Sequence, residues 1–125
     1  MDPAERQLKA RLLVARSSGD PFRVCEALVE QCRWLCAHQR WEDAHEALND
    51  VDFVLMQKPE CLWHARSLRE RADLFRQSGL EHFAEEYAAR ADEVERRVTW
   101  SARNSSATGQ EKPGRTSGSS SWSPA

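Results

Sequence analysis

Four cysteines are the side chains in this sequence best suited to chemistry, because thiolates bind metals and act as nucleophiles. Cys25, Cys32 and Cys36 are spaced seven and four residues apart, which places them on one face of a helix. That face could supply half of a zinc site, completed by Cys61 or a histidine. Structural zinc sites normally use closely paired cysteines from short turns, and the sequence contains no such pair. We therefore predict that the cysteines pack as small apolar side chains, and we expect no metal ion or other cofactor.

The histidines, which are common general bases, are scattered along the chain. His38 lies at a predicted helix end, and His45, His64 and His82 lie on different predicted helices. The sequence contains no nucleophile elbow, zinc-protease helix, phosphate-binding loop or dinucleotide-binding glycine motif. We therefore predict that the chain is not an enzyme and has no catalytic residues.

Composition narrows the classes of protein further. The 125 residues are 30% charged and 40% hydrophobic, and 18 basic residues against 20 acidic ones give a net charge of −2. A nucleic-acid-binding domain usually carries a basic excess, so no nucleic-acid partner is expected. The longest apolar runs are far too short to cross a membrane, and the charged N-terminus does not resemble a signal peptide. We expect a cytoplasmic protein, with the nucleus as the other possible location.

Proline and glycine mark the predicted helix ends. Asp2-Pro3 and Asp20-Pro21 pair a capping carboxylate with a proline at the first helical position, and Pro59 is predicted to open another helix. Apolar residues recur three and four positions apart, and no strand pattern is present. The predicted helices cover residues 3–17, 21–38, 41–57, 60–78 and 80–99. The predicted fold is all-α, with an N-terminal helix and two antiparallel helical hairpins, residues 21–57 and 60–99, in one domain over residues 1–100.

The last part of the sequence has a different composition. Residues 101–125 hold eight serines together with glycines and prolines, and they contain few apolar side chains. Such a segment cannot bury enough apolar surface to offset its ordering entropy. We therefore predict a disordered C-terminal tail over residues 101–125.

An internal repeat appears when the sequence is displaced along itself by 40 residues. Over residues 25–95, identical residues then coincide at several places, among them Leu28 with Leu68, Glu30 with Glu70, Ala44 with Ala84 and Glu46 with Glu86. Residues of related character coincide at four more, namely Cys32 with Ala72, Leu35 with Phe75, Leu48 with Ala88 and Val51 with Ala91. Self-similarity at a fixed period of this length indicates stacked helical units.

On these residues, over residues 25–95, the sequence resembles the tetratricopeptide (TPR) family of helical hairpins. The family's small residue in the first helix, followed three positions later by a large one, is matched by Cys32 with Leu35 and by Ala72 with Phe75. The alanine that opens the family's second helix is matched by Ala44 and Ala84, and the turn glycine by Gly79. The sequence departs from the family at Gln39, which replaces the first turn glycine, and in its period, which is longer than about 34 residues.

The resemblance implies a binding groove. In the TPR family the first helices of successive hairpins line a concave surface that holds an extended peptide or a partner helix. The residues that the resemblance places there are Arg33, Arg66, Arg69 and Arg76. Guanidinium groups bind carboxylates with two parallel hydrogen bonds, so this groove would suit an acidic ligand. The alternative is that Glu26, Glu70 and Asp73, which share the surface, neutralise these arginines within the chain.

Large aromatic residues are the remaining candidates for partner contacts. Trp34 and Trp63 lie off the predicted apolar stripes, as does Phe53, and Trp100 ends the last predicted helix. Tryptophan and arginine are frequent anchors of protein interfaces. Two repeats are fewer than a free-standing array normally needs, so we expect a partner or self-association through Val98 and Trp100 to cover an open end.

These observations lead to three hypotheses for function. The first is an adaptor or assembly subunit that binds a peptide or partner helix in a helical groove, using Arg33, Arg66, Arg69, Arg76, Trp34, Trp63 and Trp100. The second is an obligate structural subunit of a larger helical complex that has no groove ligand. The third is a thiol- or zinc-dependent regulator.

Overall fold

A computed structural model of the chain describes the backbone of residues 2–111 and the side chains of residues 2–104. Over this range the chain is all-α and forms no strand. The helices are α1 (Pro3–Ser18), α2 (Pro21–Ala37), α3 (Trp41–Leu55), α4 (Leu62–Gln77) and α5 (Glu81–Glu111). The chain divides after Glu95 into two compact units, and the helix packing described below lies within the first.

The predicted starts of α1 and α2 are confirmed. The Asp2 carboxylate accepts a hydrogen bond from the Ala4 amide at 2.8 Å, and the Asp20 carboxylate accepts one from Phe22 at 3.0 Å. A proline occupies the first turn of both helices, where its missing N–H costs nothing. Gly19 ends α1 with a φ of 76°, in the left-handed region that favours glycine.

Helix α4 begins two residues later than predicted, at Leu62 rather than at residue 60. The cause is a local cap that the sequence pattern does not reveal. The Cys61 amide donates to Nδ1 of His64 at 3.0 Å, which makes Cys61 the residue that caps the helix. Nδ1 accepts this bond, so the ring proton lies on Nε2, which donates to the Leu55 carbonyl at 3.1 Å. His64 therefore joins the end of α3 to the start of α4.

Helix α5 continues to Glu111, beyond its predicted end at residue 99. Residues 101–111 contain no proline, so no residue in this segment lacks the amide hydrogen that a helix needs. The remainder of the predicted tail, residues 112–125, lies outside the described residues.

The turn between α2 and α3 and the turn between α4 and α5 share backbone hydrogen bonds at an interval of 40 residues. The Arg40 amide donates to the Leu35 carbonyl at 2.9 Å, and the Leu80 amide donates to the Phe75 carbonyl at 2.8 Å. Gln39 and Gly79, at equivalent positions, both have positive φ, of 59° and 87°. Gln39 therefore replaces the turn glycine in residue type only, because its backbone adopts the same left-handed conformation.

Helices α2 and α4 lie side by side and run in parallel. Three pairs along the two helices establish the register: Phe22 stacks on Trp63, Glu26 pairs with Arg66, and Arg33 pairs with Glu70. In each pair the α4 residue lies about 40 positions after its α2 partner, which is the period of the sequence repeat. Consecutive helices α3 and α4 are antiparallel, since Asp52 contacts Ser67 and His45 contacts Phe75.

The core includes several of the repeated positions. One cluster of buried side chains joins Cys32, Leu35 and Cys36 of α2 to α3 and to Leu74 of α4. A second joins Cys25, Leu28 and Val29 to Val51 and Leu55 of α3. At four repeated positions the residues of both hairpins are buried, namely Cys25 and Ala65, Cys32 and Ala72, Ala44 and Ala84, and Val51 and Ala91. The helices are therefore arranged as two stacked hairpins preceded by α1.

Candidate interaction surfaces

Helices α2 and α4 present the surface on which the predicted groove residues lie. Arg33 of α2 donates from Nε and Nη2 to the two carboxylate oxygens of Glu70, in the bidentate geometry that arginine favours. Glu70 is buried, at 7% exposure, whereas the guanidinium of Arg33 reaches solvent. Hydrogen bonding to Glu70 raises the pKa of Arg33 above its ordinary value. Arg33 therefore compensates a buried carboxylate.

Arg66 occupies a mixed aromatic and ionic environment at the start of α4. Its Nη1 lies 3.6 Å from Oε2 of Glu26 on α2, and its guanidinium lies 4.2 Å from the centre of the Trp63 ring. Phe22 stacks on the same Trp63 ring with a centroid distance of 6.5 Å. A cation over an indole ring is held by the ring quadrupole as well as by the carboxylate.

The other two predicted groove arginines are also paired within the chain. Arg69 donates to Asp92 at 2.8 Å and to Glu95 at 2.5 Å, and these bonds raise its pKa. Arg76 donates to Asp73 at 3.3 Å and to Glu81 at 3.4 Å. Glu26, Glu70 and Asp73 thus each contact one of the four arginines, which is the arrangement that the alternative interpretation of this surface describes.

The predicted tryptophans lie in three different environments. Trp34 is half-buried against the core and stacks on His38 with a centroid distance of 4.0 Å. Trp63 is half-buried against the cluster formed by Cys25, Val29 and Leu55. Trp100, in the second unit, is 68% exposed. Of the three, Trp100 is therefore the side chain with most surface left for a partner.

The thiols on α2 are protected from solvent. Cys25, Cys32 and Cys36 are buried, and desolvation raises the pKa of Cys25 to about 11 and that of Cys32 to about 12. A thiol that ionises so reluctantly is a poor nucleophile and a poor metal ligand at neutral pH. Among the described residues no three histidine, cysteine or carboxylate side chains are placed together to hold a metal ion.

Two features were missed by the sequence analysis. The first is a polar network between α3 and α4, in which Arg71 contacts His45, Asn49 and Asp52 at about 3 Å and Ser67 donates to Asp52 at 2.7 Å. No spacing in the sequence indicates it, because its members are spread over 27 positions on two helices.

The second is a cleft of about 330 Å³ between α1 and α2. The residues that line this α1–α2 cleft are Ala4, Gln7, Leu8, Arg11, Glu30, Arg33 and Trp34. A signal for it exists in the sequence, since the 40-residue displacement also matches Ala4 with Ala44 and Leu8 with Leu48. These matches lie before residue 25, where the resemblance to the TPR family begins.

Comparison with models of known protein families finds no match, and searches of curated proteins and of solved structures also find none. None of the helices, over its described length, combines the length and apolarity that crossing a bilayer requires. The indications of function therefore lie in the geometry of the chain itself.

Proposed function

We propose that the chain is a protein–protein interaction module built from stacked helical hairpins, resembling the TPR family. It acts as a small adaptor or assembly subunit that holds a peptide or helix of another protein. It is not an enzyme, and it works in the cytoplasm, with the nucleus as the alternative location. Neither nucleic acid nor a membrane is its partner.

One observation carries this proposal, namely the parallel packing of α2 against α4. Parallel neighbours that repeat every 40 residues present their outer side chains in register, as a single continuous surface. That surface holds the Phe22–Trp63 stack, the Glu26–Arg66 pair and the Arg33–Glu70 pair in order along the helices. A rigid surface of this kind binds with little loss of conformational entropy.

The pairing of the arginines changes the ligand that this surface would favour. A purely acidic peptide would have to compete with carboxylates that already bind the guanidinium groups of Arg33, Arg66 and Arg69. A ligand that carries both signs of charge, or an amphipathic helix, meets no such competition. We therefore favour a partner helix or a mixed-charge peptide, with Trp63 supplying buried area and Arg66 supplying orientation.

The second candidate function is an obligate structural subunit of a larger helical complex. The observation that favours it is again the internal pairing, because arginines committed to core-facing carboxylates such as Glu70 do not need a ligand to explain them. In that case the partner would bind outside the α2–α4 surface, and Trp100 is the most exposed aromatic side chain among the described residues.

Quantitative affinity capture with a charge-swapped surface separates the two candidates. The variant Glu26→Arg with Arg66→Glu keeps an ion pair between α2 and α4 but reverses the direction of its field. If the surface binds a ligand, partners captured by the wild-type chain are lost from this variant. If the chain is only a structural subunit, they are retained, and Trp100→Ser releases them instead.

A matched control guards against loss of fold. The exposed residues Glu46 and Lys58 lie on α3 and in the segment after it, so Glu46→Arg with Lys58→Glu changes charge by the same amount outside the α2–α4 surface. Circular dichroism checks that the variants keep equal helix content. Equal capture by the wild type, the surface swap and Trp100→Ser would contradict both candidate functions.

A further inference from the structure

The sequence repeat extends to α1, which corresponds to α3. A displacement of 40 residues superposes Ala4 on Ala44 and Leu8 on Leu48, and α1 packs against α2 as α3 packs against α4. Helix α1 therefore occupies the place of the second helix in a hairpin. The described residues contain no first helix that pairs with it.

The surface on which α2 rests shows what a first helix needs. It is formed by α3 and α4, and among the side chains that α2 covers are Ala44, Ala47, Leu48, Val51, Glu70 and Leu74. Their counterparts 40 residues earlier are Ala4, Gln7, Leu8, Arg11, Glu30 and Trp34, in the same order. All six counterparts line the α1–α2 cleft. The α1–α2 cleft is therefore equivalent to the surface that α3 and α4 offer to α2, one repeat earlier in the chain. None of the described helices covers it.

Burial distinguishes the covered surface from the open one. Leu48 and Leu74 are fully buried, whereas Leu8 and Trp34 are only half-buried. The carboxylate-bearing side chain of Glu70 is 9% exposed, and that of Glu30 is 49% exposed. Val14 on α1 is 69% exposed, although its counterpart Val54 packs against the core. The open surface therefore leaves apolar area uncovered, together with the half-exposed Glu30 carboxylate, which accepts a hydrogen bond from Arg11 at 3.0 Å.

From this correspondence we infer that the α1–α2 cleft binds one amphipathic helix of a partner protein, laid parallel to α2. The inference rests on the proposed function, and it identifies the surface and the kind of partner. A bound helix would extend the array by one first helix, flush with the surface that α2 and α4 present. Binding would use repeat stacking rather than an arginine clamp on an acidic peptide.

The lining of the cleft defines the chemistry of the bound helix. Beneath α2, Glu70 accepts hydrogen bonds from Arg33 on both carboxylate oxygens. Glu30 accepts one from Arg11 through Oε1 and is 49% exposed, so a basic residue at the equivalent position of the partner would bind the same carboxylate beside Arg11. Ala4, Leu8 and Trp34 form the apolar part of the cleft and require apolar residues on the partner helix. In α2 the apolar residues Cys32, Leu35 and Cys36 lie one position before Arg33 and two and three positions after it. We expect the same spacing around the basic residue of the partner.

One position of the partner helix should differ from α2. Arg11 stands where the covered surface has Val51, which packs against Val29. An acidic residue four positions before the basic one would therefore face Arg11. The expected partner helix is acidic, then apolar and basic, in that order along the chain.

A peptide copied from α2 provides a defined probe. The peptide contains residues 20–41 of this chain with Cys25, Cys32 and Cys36 replaced by alanine and with Val29→Glu. Fluorescence anisotropy of the labelled peptide with the full chain should give a Kd below about 1 mM. Leu8→Glu in the cleft should weaken binding at least about tenfold. The matched control Leu13→Glu changes an exposed leucine of the same helix outside the cleft, and it should leave Kd unchanged.

A charge swap tests the predicted direction of the helix. Arg11→Glu with Glu30→Arg keeps the pair that joins α1 to α2 but reverses it. This chain should reject the first peptide and bind one that carries arginine at position 29 and Arg33→Glu. Binding that ignores the swap, or that survives Leu8→Glu, would overturn the inference.

A fused helix covers the case in which the free peptide does not fold. Residues 20–41 placed directly before Asp2 retain the 40-residue period, and fusion raises the effective concentration of the helix. The fusion should raise Tm by at least about 4 °C, and Leu8→Glu should abolish the gain. No peptide binding together with no gain in Tm would overturn the inference. A dimer of the unfused chain that Leu8→Glu dissociates would also overturn it, because the occupant would then be a second copy.

These results are separable from the test of the proposed function. Leu8 lies outside the α2–α4 surface that the Glu26–Arg66 swap changes. If the cleft binds no helix but the Glu26–Arg66 swap still releases captured partners, the inference fails and the proposed function stands.

Discussion

Arg33 of α2 donates two hydrogen bonds to Glu70 of α4, a residue 37 positions later in the chain. The relationship is asymmetric, because Glu70 is buried and the Arg33 guanidinium is mostly in solvent. An arginine that is freed can be hydrated again, but a buried carboxylate that loses its partner cannot. The Arg33–Glu70 pair therefore joins the two hairpins. A ligand that contacts this pair meets an arginine whose charge is already balanced by Glu70.

The network around Arg71 should contribute more to stability than any exposed ion pair. The Arg71 side chain is 11% exposed and joins Asn49 and Asp52 of α3 to α4. We expect Arg71→Met to lower the free energy of unfolding by about 1–3 kcal/mol, since it leaves polar partners unsatisfied. Urea denaturation followed by circular dichroism measures the change.

The control for this prediction is Arg23→Met. Arg23 is well exposed, and its Nε lies 3.9 Å from Asp20, so its loss should cost less than about 0.5 kcal/mol. Equal effects of the two substitutions would show that the α3–α4 network does not stabilise the fold.

The sequence was most informative where local physics dominates. Capping carboxylates and prolines located the starts of α1 and α2, and the 40-residue displacement located the equivalent alanines Ala44 and Ala84. The sequence was less informative where a single side-chain contact determines the end of a helix. The start of α4 depends on the bond from the Cys61 amide to His64, and no rule of spacing predicts a histidine cap there.

The candidate surfaces were harder to predict than the helices. Sequence placed Arg33 and Glu70 on the same side of the array, but only the register of α2 against α4 shows that they bind each other. The α1–α2 cleft can be recognised only when Leu8 is compared with Leu48, and the reason to compare them is that α1 occupies the position of α3 in the repeat.

Stability should depend on pH through His45. Burial, reinforced by the charge of Arg71, lowers the pKa of His45 below its ordinary value of 6.5. As pH falls, His45 of the unfolded chain is protonated before His45 of the folded chain. The contribution of His45 to stability is therefore complete above about pH 6.5 and is lost as pH falls from there toward the lower pKa of the folded state.

His45→Gln tests this dependence. Between about pH 7.5 and pH 5.5, the variant should lose less free energy of unfolding than the wild type, because it no longer titrates there. His82→Gln, on an exposed position of α5, serves as the control. An identical loss in the wild type and His45→Gln would show that His45 is not held neutral by the fold.

Thiol reactivity should distinguish Cys61 from the other cysteines. At neutral pH we expect a thiol reagent such as DTNB to modify Cys61, which is half-buried, well before the three buried thiols of α2. Cys61→Ser should remove the fast phase of the reaction. In denaturant the three thiols of α2 should react as fast as Cys61, because they are then exposed to the reagent. Rapid modification of two or more thiols in the folded chain would favour the thiol-dependent regulator instead.

Overpacking should affect the two hairpins in the same way. Ala44 and Ala84 are both fully buried, each at the second-helix position of its hairpin. Leucine at either site should lower the free energy of unfolding by about 1–3 kcal/mol, whereas the exposed Ala89→Leu should be nearly neutral. Thermal or urea unfolding gives the comparison. A large cost at only one of the two alanines would indicate that their surroundings are not equivalent.

A double-mutant cycle between Arg33 and Glu70 tests the central claim most directly, namely that α2 and α4 are equivalent helices stacked in parallel. The variants are Arg33→Glu, Glu70→Arg and both together, with urea unfolding as the measurement. Stacking predicts that each single reversal destabilises the chain and that the double swap recovers at least about 1 kcal/mol of the sum. Effects of the two substitutions that simply add would contradict the stacked arrangement.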